Sequence, residues 1–504
     1  MKKIKDLEIY FKGLENKEFY LSTNSEEDWM LYDYDSYDKS FDDEYDESFI
    51  DEYDDSFGIK NKILEAFDLA NNLFFEKKYI ESVKLYERIF NVNIHIYDEL
   101  DEDWTVINNL ELFNYFDFDY KHSLLNMLYG IIKIYSAKER IEKMYKYISM
   151  NNDKQIDLED IFSINTEDID DIFIDEMIDF LEKNKNDIAT KYLIEAYMHK
   201  GGLNYLCNNS LKNYLKHPIL LKVSCQKLFD KKDYLKCEEF GLKAIKLLPE
   251  YLVIRSDIGN LVMKSAIKLN HTKIKEHCYK IIFYSKSTVD NYIRLFQLND
   301  YKEITKESVA YAMNLSPNKF KIEYNNMKKN SISSEEKDIL RFFSGDFDYL
   351  YNKSKNQKTS GYKSYDLKSI LRVLLLFLLS KNNSYNIKKI LKDEFISKIN
   401  IKESDKDEFI KNILNWKKKQ LLKYDDLKKF ISWIEEETNK IAKEIVGRGA
   451  RKEYYKVATL VVCLSEVMEA NGFVDNKNKI IDKYISIYYN KRAFKSEVQV
   501  LVKK

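Results

Sequence analysis

The scarcity of turn-forming residues constrains this chain more than any other feature of its sequence. Its 504 residues include only 12 glycines and 3 prolines, whereas average usage gives about 35 and 25 in that length. A β-sandwich or β-barrel needs a tight turn about every ten residues, and a Rossmann-type fold needs glycine-rich phosphate loops. Both are disfavoured. The sequence therefore predicts an all-α fold of helices joined by short polar turns.

The apolar residues and the cysteines predict a cytoplasmic protein without membrane contact. The longest apolar run, residues 373–379, has seven residues, whereas a membrane-spanning helix needs about 20, so this run predicts a buried helix. No apolar stretch of the kind found in secretory signals follows the basic N-terminus. The cysteines form no CxxC pair: Cys207, Cys225, Cys237, Cys278 and Cys463. This pattern fits buried, reduced thiols better than disulfides or zinc ligands.

Charge is segregated along the chain, although the net charge is only -2. Residues 1–120 carry a net charge of -20, residues 121–200 a net -5 and residues 201–504 a net +23. Within residues 26–55, fifteen Asp and Glu are offset by Lys39 alone, and an aromatic side chain recurs every fourth residue from Tyr37 to Phe57. Such dense negative charge favours a solvated segment, while the spacing would also suit one stripe of an acidic helix. We expect residues 26–57 to dock on a basic surface.

Apolar residues between positions 61 and 95 predict a pair of antiparallel helices, because they recur at three- and four-residue spacing on both sides of a polar turn. Leu69 and Ala70 lie in the first helix, and Tyr79 begins the second. The buried face of the second helix continues at Ser82, Tyr86, Ile89 and Val92. The pattern returns at residues 218–249, where the corresponding positions hold Tyr234, Cys237, Ala244, Leu247 and Pro249.

A 34-residue period connects these pairs with residues further along the chain. Pro249 and Pro317 lie 68 residues apart, and the segment before Pro317 repeats the earlier ending. Between them, Gly259 falls where a small residue must let two helices approach, and Cys278 and Ile281 follow at the expected small and large positions. These residues resemble the tetratricopeptide repeat, whose period is 34. The resemblance is strongest over residues 218–317, for which we expect three consecutive antiparallel pairs with Cys225, Cys237 and Cys278 buried.

What this resemblance implies is a superhelical array of antiparallel helix pairs, a solenoid, that presents the first helix of each pair to a ligand. The exposed positions of these first helices are then Lys222, Gln226, Ser256, Asn260, Lys264 and Arg294. Donors without a carboxylate among them suit acidic groups or a C-terminal carboxylate. An ordinary polar helix face is the alternative interpretation.

The last third of the chain, residues 333–504, is also predicted to be helical. Its end, EIVGRGARKEYYKVATLVVCLSEVMEANGFVDNKNKIIDKYISIYYNKRAFKSEVQVL, and the stretch SKSTVDNYIRL near residue 286 are similar to the helical region of uncharacterised bacterial proteins that carry a SWIM zinc finger. The finger's CxC and CxH ligands are missing from this chain. The resemblance therefore implies neither zinc nor the nucleic-acid contact that goes with it.

No motif of catalysis or metal binding is present in the sequence. The six histidines lack ligand spacing: His95, His122, His199, His217, His271 and His277. Asp33, Asp35 and Glu44 match three positions of an EF-hand loop, but Asp38 stands where that loop needs glycine. Gly201 and Gly202 predict a helix break. Residues 447–452, GRGARK, are the densest basic spot and are able to hold a phosphate, although such runs are commonly solvated turns.

These observations predict a non-enzymatic protein without metal or cofactor, organised in four segments. The segments are an acidic, aromatic-rich part at 1–60, a helix-pair region at 61–200, tetratricopeptide-like repeats at 201–330 and a helical region at 331–504. The preferred function is a scaffold that binds a protein or peptide, with acidic partners favoured. The alternative is a nucleic-acid-associated protein that uses the basic residues 201–504 and is masked by its acidic segment.

Overall fold

The computed structural model describes most of the chain. The described residues are 2–23, 53–98, 102–107, 112–113, 115–150, 156–164, 171–316, 327–355, 367–381, 384–399, 401 and 405–503. The chain divides into two compact units, unit 1 at residues 1–220 and unit 2 at residues 221–504. Among the described residues, 23 α-helices and one small sheet form the fold. The all-α prediction is therefore confirmed.

Unit 1 is built on eight of these helices around a continuous apolar core that runs from Leu7 to Leu220. The helices are α1 (Lys2–Glu15), α2 (Ile59–Phe75), α3 (Tyr79–Asn91), α4 (Lys121–Ile134), α5 (Ala137–Met150), α6 (Leu158–Phe162), α7 (Asp171–Leu181) and α8 (Asp187–Asn213). Helix α8 is kinked because Gly201 and Gly202 leave helical backbone angles, with Gly202 at a φ of 64°. The predicted helix break at these two glycines is confirmed.

A four-stranded sheet in unit 1 was not predicted from the sequence. Its strands are β1 (Leu21–Thr23), β2 (Tyr53–Asp54), β3 (Ile94–Asp98) and β4 (Asp103–Ile107), in the order β2-β1-β3-β4. Strand β1 runs parallel to β3, and the other neighbours are antiparallel. The sheet is formed by two- to five-residue strands that come from distant parts of the chain.

The end of the acidic segment belongs to unit 1. Strand β2 pairs with β1, and the Tyr53 backbone N–H donates to the Tyr115 hydroxyl at 2.8 Å. The Asp55 carboxylate accepts hydrogen bonds from the backbone N–H groups of Ile59, at 2.5 Å, and Lys60, at 2.9 Å, so it caps the start of α2. Docking is predicted for residues 26–57, and the structure describes only residues 53–57 of that segment. The docking predicted for residues 26–52 therefore stays a prediction.

Helices α2 and α3 form the pair predicted from residues 61–95, and α3 begins at Tyr79 as expected. The Ser82 hydroxyl donates to the Ala70 carbonyl at 2.8 Å, which joins the two helices in the buried interior. The turn between them contains Lys77 at a φ of 62°. The backbone N–H groups of Lys77 and Lys78 donate to the carbonyls of Phe74 and Leu73, the pattern of a Schellman motif.

Unit 2 begins within α9 and contains the remaining helices. They are α9 (Ile219–Asp230), α10 (Tyr234–Leu247), α11 (Val253–Leu269), α12 (Thr272–Ser285), α13 (Val289–Arg294), α14 (Tyr301–Met313), α15 (Ser334–Phe343), α16 (Phe347–Lys355), α17 (Leu367–Leu379), α18 (Tyr385–Glu394), α19 (Lys406–Lys418), α20 (Tyr424–Ala442), α21 (Tyr454–Ala470), α22 (Asn478–Ile487) and α23 (Arg492–Val502). Short 3-10 turns follow α13 and α18 and precede α21, and a π-turn, Lys443–Gly447, follows α20.

Helices α9 to α14 are the three consecutive pairs predicted for residues 218–317. Within each pair, two or three residues separate the helical segments, so the chain reverses direction there. Cys225, Cys237 and Cys278 are fully buried, as predicted. Cys463 is buried as well, whereas Cys207 is only half-buried. The Cys225 and Cys237 sulfur atoms lie 3.4 Å apart as free thiols and join α9 to α10.

The same turn geometry recurs in these pairs. Lys232, between α9 and α10, has a φ of 61°, and Asn270, between α11 and α12, has a φ of 58°. In both turns this residue and the next donate backbone hydrogen bonds to carbonyls of the preceding helix. Three pairs also place a phenylalanine of the first helical segment against the tyrosine that begins the second. The ring centroids are 5.5 Å apart for Phe74–Tyr79, 5.4 Å for Phe229–Tyr234 and 5.6 Å for Phe296–Tyr301.

Two glycines let neighbouring helices approach closely. A Cβ atom on Gly241 of α10 would lie 2.3 Å from Val262 Cγ2 of α11. A Cβ atom on Gly259 of α11 would lie 3.0 Å from Ile282 Cγ1 of α12. Real side chains do not fit at the first distance, so close-packed interiors of this kind require the smallest residue there. The close approach of two helices predicted at Gly259 is confirmed.

The apolar run at residues 373–379 lies in α17, and all of its side chains are buried, as predicted. Helix α17 packs among α16, α18, α20 and α21. None of the helices in the described ranges is long and apolar enough to cross a membrane. Trp416 of α19 is also fully buried, and its indole N–H donates to the Phe343 carbonyl at 2.7 Å.

Candidate functional site

Polar side chains connect the first helices of the three pairs in unit 2. The Lys222 ammonium of α9 donates to Asp257 Oδ2 of α11 at 2.7 Å. The Arg294 guanidinium of α13 donates to Asn260 Oδ1 of α11 at 3.3 Å. The partners are 35 and 34 residues apart, which is one repeat period. One hydrogen bond thus connects α9 with α11, and another connects α13 with α11. We call the polar side chains of these three first helices the first-helix row.

The second helices are connected by a contact with a similar offset. The Glu238 carboxylate of α10 is buried and contacts Nδ1 of His271, at the start of α12, at 2.9 Å and 3.1 Å. These two residues are 33 positions apart. Contacts within a pair have an offset of 12 for both Ser82–Ala70 and Cys225–Cys237. The equal offset agrees with the equal turn length, because three residues separate the two helices in both pairs.

The six residues predicted for the first-helix surface differ in exposure. Gln226 and Lys264 are exposed, and Lys222 and Asn260 are partly exposed. Ser256 and Arg294 are buried, so the prediction that they lie on the exposed face is wrong. For Ser256 the reason is helix geometry, because Asp257, one residue further, occupies the surface position instead.

Carboxylates do accompany these donors, contrary to the sequence analysis. The Gln226 amide donates to Asp230 Oδ1 at 2.7 Å, and Lys222 pairs with Asp257. Arg294 is 3.0 Å from Asp290 Oδ2, four residues earlier in the same helix. The predicted cationic surface is therefore partly neutralised within the chain. Lys264 forms no ion pair with a described residue.

Helix α19 covers the Arg294 end of the row. Glu408 Oε1 of α19 lies 3.9 Å from Arg294 Nε. The Gln297 amide donates to Asn412 Oδ1 of α19 at 2.7 Å and accepts from the Tyr279 hydroxyl at 3.1 Å. A chain of polar contacts thus fixes α19 over the third pair and removes Arg294 from the surface.

Three buried polar atoms of this cluster have no hydrogen-bond partner among the described residues. They are Asp290 Oδ1, Arg294 Nε and Asn412 Nδ2. Burial raises the pKa of Asp290, against the opposing effect of the Arg294 guanidinium. Unpaired buried polar atoms cost free energy, so the Arg294 end of the first-helix row is less stable than it would be with these atoms paired. At the other end of the row, Lys222 and Asp257 form a half-exposed ion pair.

Within the described ranges, no three His, Cys, Asp or Glu side chains lie close enough together to hold a metal ion. Asp33, Asp35 and Glu44, the partial EF-hand match, lie outside the described residues. The Cys278 and Cys463 thiols are poor nucleophiles, because burial raises the pKa of Cys278 to about 12 and that of Cys463 well above its usual value, and the thiolate is the reactive form. The hydrogen bond with Cys225 lowers the pKa of the buried Cys237 thiol instead. The absence of a metal or catalytic site therefore stays a prediction.

Sequence reasoning missed the acidic partners of the row. Asp290 precedes Arg294 by four residues, a spacing that brings side chains together on a helix, so it was detectable. Asp257 lies one period after Lys222 and was detectable from the 34-residue frame. Glu408 is 114 residues after Arg294 in the chain, and no local pattern connects them.

Comparison with protein-family models gives no match to this chain, and a search of curated proteins finds no matching relative.

Proposed function

We propose that this protein is a non-enzymatic scaffold that binds a protein or peptide through the first-helix row. The observation that carries the proposal is the pair of cross-helix contacts at one repeat period, Lys222–Asp257 and Asn260–Arg294. They support a solenoid-like stacking of the pairs, in which neighbouring first helices offer one extended surface. Extended repeat surfaces of this kind serve as binding surfaces.

The open part of the row favours an acidic ligand. Lys264 and Gln226 are exposed, and Lys222 is half-exposed, whereas Arg294 is covered by α19. The whole of residues 201–504 carries a net charge of +23, which attracts acidic partners over distances of about 8 Å at physiological salt. A peptide with a free C-terminal carboxylate offers the lysines a charged acceptor.

The experiment compares an acidic peptide with its amidated form. A suitable probe is SFDDEYDESFIDEYDD, the sequence of residues 40–55, ending in a carboxylate or a carboxamide. We expect Lys222→Gln/Lys264→Gln to weaken binding of the carboxylate form about tenfold. Two exposed ion pairs together contribute about 1.4 kcal/mol, which corresponds to about a factor of ten in Kd. Fluorescence anisotropy with the full chain measures this change.

The matched control is Lys243→Gln/Lys246→Gln, which removes two exposed lysines from α10, a second helix. It lowers the net charge equally but leaves the first-helix row intact. Equal loss of affinity in both double variants would refute the assignment to this row, and the same result for both forms of the peptide would refute the role of the carboxylate.

The alternative function is binding to nucleic acid by the basic part of the chain. The net charge of +23 in residues 201–504 favours it, and phosphate contacts of lysine and arginine give strongly salt-dependent binding. Retention of the full chain on immobilised DNA or RNA at low salt, with release as salt is raised, would support this function. The proposed masking by acidic residues concerns positions outside the described ranges.

A further inference from the structure

Two basic loops of unit 2 meet at one end of the C-terminal helices. The first is the GRGARK turn before α21, and the second is the turn before α23. A Cβ atom on Gly449 would lie 3.7 Å from Lys491 Nζ, and the Tyr454 and Phe494 rings at the helix starts are 6.1 Å apart. The basic patch formed here consists of Arg448, Arg451, Lys452, Lys491, Arg492 and Lys495. All six are exposed except Lys491, which is partly exposed.

The cations of the basic patch have no carboxylate within ion-pair distance among the described residues. Glu453, the nearest acid in the sequence, pairs with Lys456. Elsewhere in unit 2, lysines such as Lys222 and Lys353 pair with a neighbouring aspartate. The patch is therefore a concentration of uncompensated positive charge, and an anionic ligand would gain the full attraction of these groups.

The backbone at the patch adds to this positive potential. Helices α21 and α23 both begin there, and neither N-cap residue, Glu453 or Lys491, caps its helix with its side chain. Helix N-termini carry a partial positive charge and free N–H groups that suit phosphate oxygens. Gly449 has a φ of 86°, a conformation that glycine adopts without strain, so the GRGARK turn depends on this glycine.

Two exposed aromatic residues lie close to the cations of the basic patch in the sequence. Tyr489, two residues before Lys491, is 80% exposed, and Tyr455, at the start of α21, is 47% exposed. Rings with this exposure are accessible to a ligand. Flat rings combined with lysine and arginine are the elements with which proteins bind single-stranded nucleic acids, because bases stack on the rings and phosphates contact the cations.

We propose that the basic patch is a binding site for single-stranded nucleic acid. Its cations contact successive phosphates, and Tyr455 and Tyr489 stack with bases. Double-stranded DNA is read by a helix or a β-ribbon placed in the major groove, whereas this patch presents loops, first helical turns and rings. The inference rests on the alternative function, binding to nucleic acid, and assigns it to one site.

The test uses the full chain and fluorescein-labelled dT15 and U15, with salt as the variable. Each phosphate contact lowers the slope of log K against log salt by about 0.7 for a single strand. We expect Arg448→Gln/Arg451→Gln/Lys452→Gln to make the slope shallower by about 2 and to weaken binding about a hundredfold at low salt. Lys243→Gln/Lys246→Gln/Lys268→Gln is the matched control, since these exposed lysines lie away from the patch on α10 and α11; its slope should equal that of the parent.

Tyrosine variants separate nucleic acid from other anions. Tyr455→Ala and Tyr489→Ala should each weaken oligonucleotide binding about fivefold to tenfold, because each removes a ring on which a base stacks, and should leave binding of poly-glutamate unchanged. Melting temperatures of all variants establish that folding is preserved. The tyrosine contribution is refuted if both polymers respond equally.

Three further outcomes would overturn the proposal. Binding to vesicles of phosphatidylserine and phosphatidylcholine but not to oligonucleotides would make the patch a membrane-surface site. Tighter binding of a duplex of the same length would contradict the single-strand assignment. Oligonucleotide binding that the patch triple variant leaves unchanged would refute this site while leaving the alternative function intact, whereas absence of any oligonucleotide binding would refute both.

Discussion

Lys417 is a partly buried lysine, and its burial disfavours the charged form of the side chain. Its ammonium donates to the Ser380 hydroxyl at 2.7 Å and lies 4.6 Å from the centre of the Phe377 ring. Ser380 and Phe377 are themselves buried. Burial lowers the pKa of Lys417 to about 8, against about 10.4 for an unfolded chain. The charged form is thus less favourable in the folded protein than in the unfolded one.

This difference predicts how stability depends on pH. Between pH 8 and about 10.4 the unfolded state binds one more proton at Lys417 than the folded state, so the free energy of unfolding rises with pH in this window. Because the side chain is only partly buried, we expect a rise of about 1 kcal/mol after allowance for solvent screening. Urea unfolding at pH 7.5 and pH 9.5 should show this rise in the parent and not in Lys417→Met. Lys418→Met, at an exposed neighbour, should behave like the parent; parallel pH profiles for all three proteins would contradict the prediction.

Single residues also show where sequence reasoning reaches its limit. The helical period placed Lys264 and Gln226 correctly on the surface, yet it placed Ser256 there instead of Asp257. Successive residues of a helix differ by about 100° in direction, so an error of one position moves a side chain from the surface to the core. The burial of Arg294 depends on α19, which the 34-residue frame does not contain.

At the scale of elements, the turns between paired helices carry a repeated strain. Lys77 and Lys232 occupy the left-handed backbone region, which costs a residue with a Cβ atom about 1–2 kcal/mol relative to the right-handed helix. The Schellman hydrogen bonds of these turns hold the conformation in place. Glycine is the usual residue at such positions because it adopts them without this cost.

Lys232→Gly should therefore stabilise unit 2. Glycine removes the free-energy cost of the left-handed conformation from the folded state, and it also raises the conformational entropy of the unfolded chain. Because the first effect is the larger, we expect a gain of about 0.5–1 kcal/mol in the free energy of unfolding. Lys231→Gly is the matched control, because Lys231 precedes the turn without a positive φ, and it should destabilise by about 0.5–1 kcal/mol. Urea titrations compare the two. Destabilisation by both substitutions would show that the Lys232 conformation carries no strain.

Elements that depend on local spacing were predicted well, and elements that depend on distant partners were not. Tyr79 and Tyr234 begin helices as the period indicates, since the pattern of a helix pair is contained in about 34 consecutive residues. Strand β1 pairs with β3 through Leu21 and Ile96, which are 75 residues apart. Strands of two to five residues carry too little periodicity for their partners to be read from the sequence.

At the scale of the molecule, the division into units coincides with a division of charge. Residues 1–220 carry a net charge of -23, and residues 221–504 carry +21. Each unit has its own buried core among the described residues. Residues 24–52, which lie outside them, carry -12 of the net charge of residues 1–220. An anionic ligand of unit 2 is thus attracted by one unit of the chain and repelled by the other.

Neutralising the acidic segment should accelerate binding of anionic ligands. Residues 26–47 contain eleven Asp and Glu, and their replacement by Asn and Gln changes the net charge from -2 to +9. This substitution spares Tyr53, Asp54 and Asp55, which pair with β1 and cap α2. We expect association of dT15 to become about tenfold faster at low salt and equal to the parent at 1 M salt, because electrostatic steering raises on-rates by about 10–1,000-fold and is screened over about 3 Å at 1 M. Stopped-flow fluorescence measures the rates.

A variant in which residues 26–52 are shuffled keeps the same net charge and serves as the control. Its association rate should equal that of the parent if net charge alone acts. Its rate should be higher if the four-residue aromatic period docks the segment on unit 2. Equal rates for the neutralised and parent proteins at every salt concentration would show that the acidic residues exert no influence on the basic unit.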